Sequence, residues 1–154
     1  MKKTSDGLSL QLVLNNKFTT PFFYYKITPN YRSYFMSTKA SLTEVFCSFQ
    51  LDGIHFWENC DIPEVSYLKH PHRHMFGFKC YMTVSHSDRN IEFIKLKHAI
   101  IEYLTAKYFN IGFNSHMFGG QSCEMIATEI GEKFSLSRCE VNEDGENGSV
   151  VYFD

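Results

Sequence analysis

No apolar run in this 154-residue chain approaches the ~18 residues that a bilayer-spanning helix needs, so no membrane partner is expected. Neither sign of charge is in excess: 15 Lys and Arg stand against 17 Asp and Glu, for a net charge of -2. That balance speaks against the basic face a nucleic-acid binder or an electrostatic membrane anchor requires, so no nucleic-acid partner is expected either. The five cysteines (Cys47, Cys60, Cys80, Cys123, Cys139) are an odd, scattered set without a C-x-x-C pair, and nothing at the N-terminus resembles a signal peptide. A reducing cytoplasm is the expected location. There is no internal repeat and no low-complexity tract. What is present is an ordinary globular composition, 44% hydrophobic and 21% charged, at a length that suits one domain. Aromatic residues reach 16%, which favours half-buried strands.

The periodicity of the chain changes along its length. Leu8, Leu10, Leu12 and Leu14 share one parity, as in a strand with one buried face, whereas 17–37 is aromatic and interrupted by Pro21 and Pro29. From Val45 the odd positions Val45, Cys47, Phe49, Leu51, His55 and Trp57 alternate with polar neighbours; Asp52-Gly53 inside this run is also a hairpin-turn dipeptide. Phe76 to His86 alternates again, with Phe78, Cys80, Met82 and Val84 on one side. Between Ile91 and Tyr108 the spacing becomes helical, with Phe93, Leu96, Ile100 and Leu104 as its apolar stripe. A second helix is expected after Ser122 as N-cap, burying Ile126, Ala127, Ile130 and Phe134 and weakened at Gly131. The chain closes on a hairpin, 138–143 and 149–153 around an Asp-Gly turn. Strand, strand, helix, helix, strand, strand predicts an α+β layer with an antiparallel sheet and two helices on one face.

Seven histidines are present, and three stand out by position. His72 and His74 lie two apart in extended chain and so point the same way; His55 ends the preceding strand on its apolar parity. If both strands turn that side to the same helices, three imidazoles converge at one end of the sheet, the arrangement of a catalytic zinc with one position open. The segment also carries Lys69, His70 and Arg73, and reads equally as a solvated polar loop. His70, His86, His98 and His116 are expected at the surface or on helices, and Cys47, Cys80 and Cys139 in core packing. Two carboxylates are further candidates. Glu143 ends a core strand on its apolar parity, and a carboxylate there can accept the adjacent N–H and amino groups of a guanine-like or pterin-like ring; it can equally be a turn residue of the acidic run that continues to Glu146. Glu124 lies in the first turn of the second helix, where it can also simply offset the helix dipole.

In order along the chain, these segments resemble the family of 6-pyruvoyl-tetrahydropterin synthase and the queuosine-pathway 6-carboxy-tetrahydropterin synthase. FQLDGIH (49–55) resembles the strand ending in the family's first zinc histidine, and HRH (72–74) its His-Gly-His pair. IEFIKLK (91–97) is similar to its Asp-Phe-x-x-Leu-Lys helix start, QSCEMIATEI (121–130) to its Pro-Thr-x-Glu-Asn helix, and CEVNEDGENGSVVYF (139–153) to its closing hairpin with Val-x-Glu-Thr. The resemblance covers about 41–154; residues 1–40 form an extension, with extra strands, of the same domain. It implies a tunnelling fold assembled as trimers or hexamers, Zn2+ on His55, His72 and His74, and a pterin or purine-like ring held by Glu143 with Glu124 beside it. The implied reaction is triphosphate elimination from dihydroneopterin triphosphate.

The departures from the family pattern are equally specific. The family's catalytic cysteine falls on Leu68, and its Asp-His pair on the stretch Lys107-Tyr108-Phe109-Asn110, which has neither. Replacement proton-transfer groups are then sought on the loop leading to His72, at Cys60, Glu64 or His70. Three functions follow: a zinc-dependent lyase of the pterin-synthase type, a divergent member that binds a pterin or purine without turnover, or a structural ring in which the histidines are loop residues.

Overall fold

A computed structural model describes residues 40–154; the expected strand at 8–14 and the aromatic segment after it lie outside them. Within the described residues the chain runs β1 (Thr43–His55), a short 3-10 helix (Pro63–Lys69), β2 (His72–Val84), α1 (Phe93–Tyr108), β3 (Phe109–Asn110), β4 (Ser115–Gly119), α2 (Cys123–Phe134), β5 (Arg138–Glu143) and β6 (Asn147–Tyr152). It is an α+β unit whose six strands form one sheet in the order β3-β4-β1-β2-β5-β6.

The sheet is mixed, which corrects the expected antiparallel one. β1 and β2 pair antiparallel over their full length, β2 pairs antiparallel with β5 over Phe76–Tyr81 and β5 antiparallel with β6, but β4 lies parallel to β1. The short β4 escapes sequence reading because five residues cannot display a convincing alternation, and its parallel partner lies far back in the chain. Asp52-Gly53 is no turn either. β1 passes straight through it, and a Cβ on Gly53 would meet Phe118 Cε2 at 2.5 Å and Phe76 Cδ2 at 2.7 Å. Glycine there admits two aromatic rings to the sheet surface.

The parity read from the sequence fixes which face is buried. Cys47 from β1, Phe76, Phe78 and Cys80 from β2, Phe118 from β4, and Cys139 and Val141 from β5 form one core with Ile100 and Leu104 of α1 and Ile126, Ala127 and Ile130 of α2. Both helices therefore cover one face, as expected. Phe93 departs from the predicted stripe: it is the first residue of α1 and half exposed. Ser122 caps α2 by accepting from the Met125 N–H at 3.4 Å, and at Gly131 any Cβ would run into the Phe153 ring. Gly131 thus seats the end of the closing hairpin against α2 rather than merely weakening its last turn.

Candidate metal centre

The site grows out of strand pairing. In the β1–β2 ladder His55 lies directly opposite His72, and Gly53 opposite His74. Residues directly opposite share a face and residues two apart along a strand share a face, so all three imidazoles stand on the helix-covered side at the sheet end. Ring centroids are 4.5 Å apart for His55 and His72, 5.3 Å for His55 and His74, and 5.1 Å for His72 and His74. One ligand nitrogen from each lies within 4.8 Å of the others, so the three histidines read from the sequence do meet. His55 is 8% exposed, the other two partly buried.

Each ring is oriented by its other nitrogen. His55 Nδ1 donates to the Gln121 carbonyl at 3.0 Å, His72 Nδ1 to the His70 carbonyl at 2.8 Å, and His74 Nδ1 to Asp144 Oδ2 at 2.6 Å. Carbonyl oxygens only accept, so the proton of neutral His55 and His72 sits on Nδ1 and the lone pair on Nε2. All three Nε2 atoms are shielded from solvent and have no hydrogen-bond partner among the described residues. Leaving one buried polar atom unsatisfied costs about 1–3 kcal/mol, so three at one point demand a compensating partner. A cation bound by three lone pairs would be such a partner, and carbonyl or carboxylate contacts behind imidazoles are the usual support for a metal site. Burial holds the His55 imidazole below its ordinary value against the opposing pull of the Gln121 carbonyl and Glu143, with a smaller push in the same direction as burial from the facing His72 and His74 rings. The neutral, ligating form is thereby favoured.

Glu143 joins the centre. Its position opposite Phe76 at the end of β5 brings Oε1 to 3.3 Å from His55 Nε2 and Oε2 to 3.6 Å from His74 Nε2. Cys123, the first residue of α2, donates its thiol to Glu143 Oε1 at 3.5 Å; burial and then the carboxylate push this thiol up to about 12. Sequence reasoning passed over Cys123, although its place one residue before Glu124 and one after the N-cap put it at the helix end nearest Glu143.

The remaining candidates lie elsewhere. Cys60 is buried, its thiol turned toward the Ile62 and Val65 carbonyls of its own loop. Glu64 sits exposed in the first turn of the 3-10 helix, and the exposed His70 serves the centre through its backbone carbonyl alone. Glu124 is exposed on α2, where Ser122 and its own backbone N–H hold its carboxyl below the usual range, the role of a helix-start charge. It lines a shallow surface with Tyr103 and Glu129 and is not among the groups meeting at the histidines. Arg73, between the two histidines, faces the other side of the sheet, with Nε 3.6 Å from Asp52 Oδ1 and a guanidinium N–H donating to the Phe113 carbonyl at 3.0 Å. His116 corrects an expectation: it is buried on β4, with Nδ1 donating to the Asp52 carbonyl at 2.9 Å, and ties β4 to β1.

No family model and no curated protein matches the chain. Among solved structures it is similar to the crystal structure of an uncharacterized protein, WS1659, from Wolinella succinogenes. That match has a TM-score of 0.55 and 11% identity, and covers 75% of this chain and all of the other. At this identity the likeness bears on the fold alone. No helix among the described residues is long and apolar enough to cross a membrane.

Proposed function

We propose that the protein is a zinc-dependent member of the 6-pyruvoyl/6-carboxy-tetrahydropterin synthase type, built on a tunnelling fold and acting on a pterin of the dihydroneopterin triphosphate class. The observation that carries this reading is the convergence of three shielded, partnerless Nε2 atoms whose Nδ1 atoms are all engaged behind them. Imidazole donors of this kind suit zinc, though the same set also accepts other first-row divalent ions. His55, His72 and His74 would hold the ion, which supplies Lewis acidity toward a substrate side-chain oxygen. Glu143 accepts ring N–H groups from beside it, with Cys123 donating to the same carboxylate. Glu124 is retained in this reading as a ring contact only if the substrate reaches the first turn of α2. The test is metal content and turnover: about one zinc per chain, and conversion of dihydroneopterin triphosphate that disappears in His72→Ala, support it. Stoichiometric zinc without turnover rejects the lyase.

A second reading has its own observation. Cys60, Glu64 and His70 do not present side chains to the histidines, so the replacements sought for the missing cysteine and Asp-His pair are not assembled there. A divergent tunnelling-fold protein that binds a pterin or purine without lyase activity fits that lack. Stabilisation on heating with pterin or guanine, abolished in Glu143→Gln, is the outcome that favours it.

A further inference from the structure

We propose that Glu143 is a fourth metal ligand, so that the centre is closed by three imidazoles and a carboxylate whenever no substrate occupies it. This rests on the three-histidine reading above and changes one thing in it: the coordination position expected to be open to water is taken by the protein itself.

The first support is distance. Donor atoms sharing a tetrahedral ion at bond lengths of ~2.1 Å stand ~3.4 Å from one another. Glu143 Oε1 lies 3.3 Å from His55 Nε2, and Oε2 lies 3.6 Å from His74 Nε2, both close to that edge. The second is chemistry. With Nδ1 of each ring engaged as a donor, the Nε2 atoms face the carboxylate as lone pairs, and an ionised carboxylate is also only an acceptor. Acceptors crowded on acceptors repel unless a cation lies between them. A proton relieves one such contact; three nitrogens and a carboxylate gathered at one point suit a single multivalent cation. The third is placement. Glu143 is set by the β2–β5 register, and the next residue is pinned to β2 twice, through Asp144 N–H to the Met75 carbonyl at 3.0 Å and Met75 N–H to Asp144 Oδ1 at 2.8 Å. The carboxylate is thus delivered by a fixed strand end, not by a free loop. An ionised carboxylate offers about four lone-pair directions, so one can face the ion while another accepts from Cys123 or a ring N–H.

Cobalt(II) loading of the full-length protein, followed by visible absorption, separates the outcomes. Wild-type protein loaded with one Co2+ is expected to keep its spectrum when azide is added, because no position is open. Glu143→Gln is expected to bind Co2+ weaker by about 10-fold or more and to change its spectrum with azide. If wild-type Co2+ protein responds to azide as the variant does, while His72→Ala binds none, Glu143 is not a ligand and the three-histidine centre stands. If wild-type protein takes up no stoichiometric Co2+, the proposal and the reading beneath it both fall. Should Glu143→Gln fail to fold, by circular dichroism, the azide response of the wild type alone decides.

Discussion

At Asp144 the backbone takes φ 56°, the left-handed conformation that the hairpin turn demands and that Asp tolerates better than most residues. Its carboxylate then does what no glycine or asparagine at a turn would do as well: one oxygen accepts from Met75 N–H and the other from His74 Nδ1. The His74 contact, and next the Met75 N–H, hold the Asp144 carboxyl below its ordinary range, so at neutral pH it stays an acceptor and keeps the His74 lone pair on Nε2. Asp144→Asn preserves the turn but removes the charge behind the ligand. Its metal affinity, measured by competition with a chromogenic chelator, is expected to fall about 10- to 100-fold, with the melting temperature of the metal-free protein little changed. Equal affinities would remove Asp144 from the centre. In the sequence Asp144 reads only as turn chemistry beside Glu143; its second role depends on β2 lying alongside, which the sequence does not display.

Between elements, two packing devices hold the frame of the centre. Gly53 lets Phe118 and Phe76 close over β1 just before His55, and Phe76 also packs edge-on to His55 and His74 at 5.1 Å and 5.9 Å between centroids. Gly53→Ala forces both rings aside, and overpacking of this kind costs about 1–3 kcal/mol, to be read from denaturant unfolding. A wild-type midpoint would show that the rings move freely. The second device joins the helices: Glu129 of α2 accepts from Tyr103 and Tyr108 hydroxyls at 2.7 and 2.6 Å and from Lys107 Nζ at 2.6 Å, all on α1. Tyr108 in turn accepts from Gln121 Nε2 at 2.9 Å, and the Gln121 carbonyl orients His55, so the network reaches the metal side. Burial of Glu129 works to raise its carboxyl, but the three donors outweigh it and hold it below the ordinary value of 4.5. A depressed acid stabilises the fold above its unfolded value and loses that contribution as the pH falls through its folded value. Glu129→Gln is therefore expected to be less stable than wild type by about 2 kcal/mol at neutral pH, with the gap closing on acidification below about 4.5. A gap that stays constant with pH would mean the charge contributes nothing.

For the whole molecule, the described sheet ends at two strands, the two-residue β3 and the six-residue β6, and among the described residues nothing pairs with the outer edge of β6, where Tyr152 and Val150 are exposed. Unpaired edges are covered in stable proteins, and the tunnelling-fold proposal covers them with further copies of the chain. A native mass of three or six chains, by light scattering, is the expected outcome; a monomer at micromolar concentration would remove that part of the proposal.

Alternation and periodicity in the sequence by themselves determined β1, β2, both helices, the closing hairpin, the buried parity and the identity of the three histidines. These are local signals, since side-chain direction in a strand or helix follows from spacing alone. Only the tertiary structure decided that β4 inserts parallel to β1, that Gly53 and Gly131 serve close packing, that His116 is buried, and that Glu143, Asp144, Cys123 and two backbone carbonyls gather around the imidazoles. Those facts are contacts between residues far apart in the chain, His74 with Asp144 across 70 positions and His55 with Glu143 across more, and they exist only once the strand register has been set. Register depends on how whole faces pack against the helices, a property no short window of sequence contains.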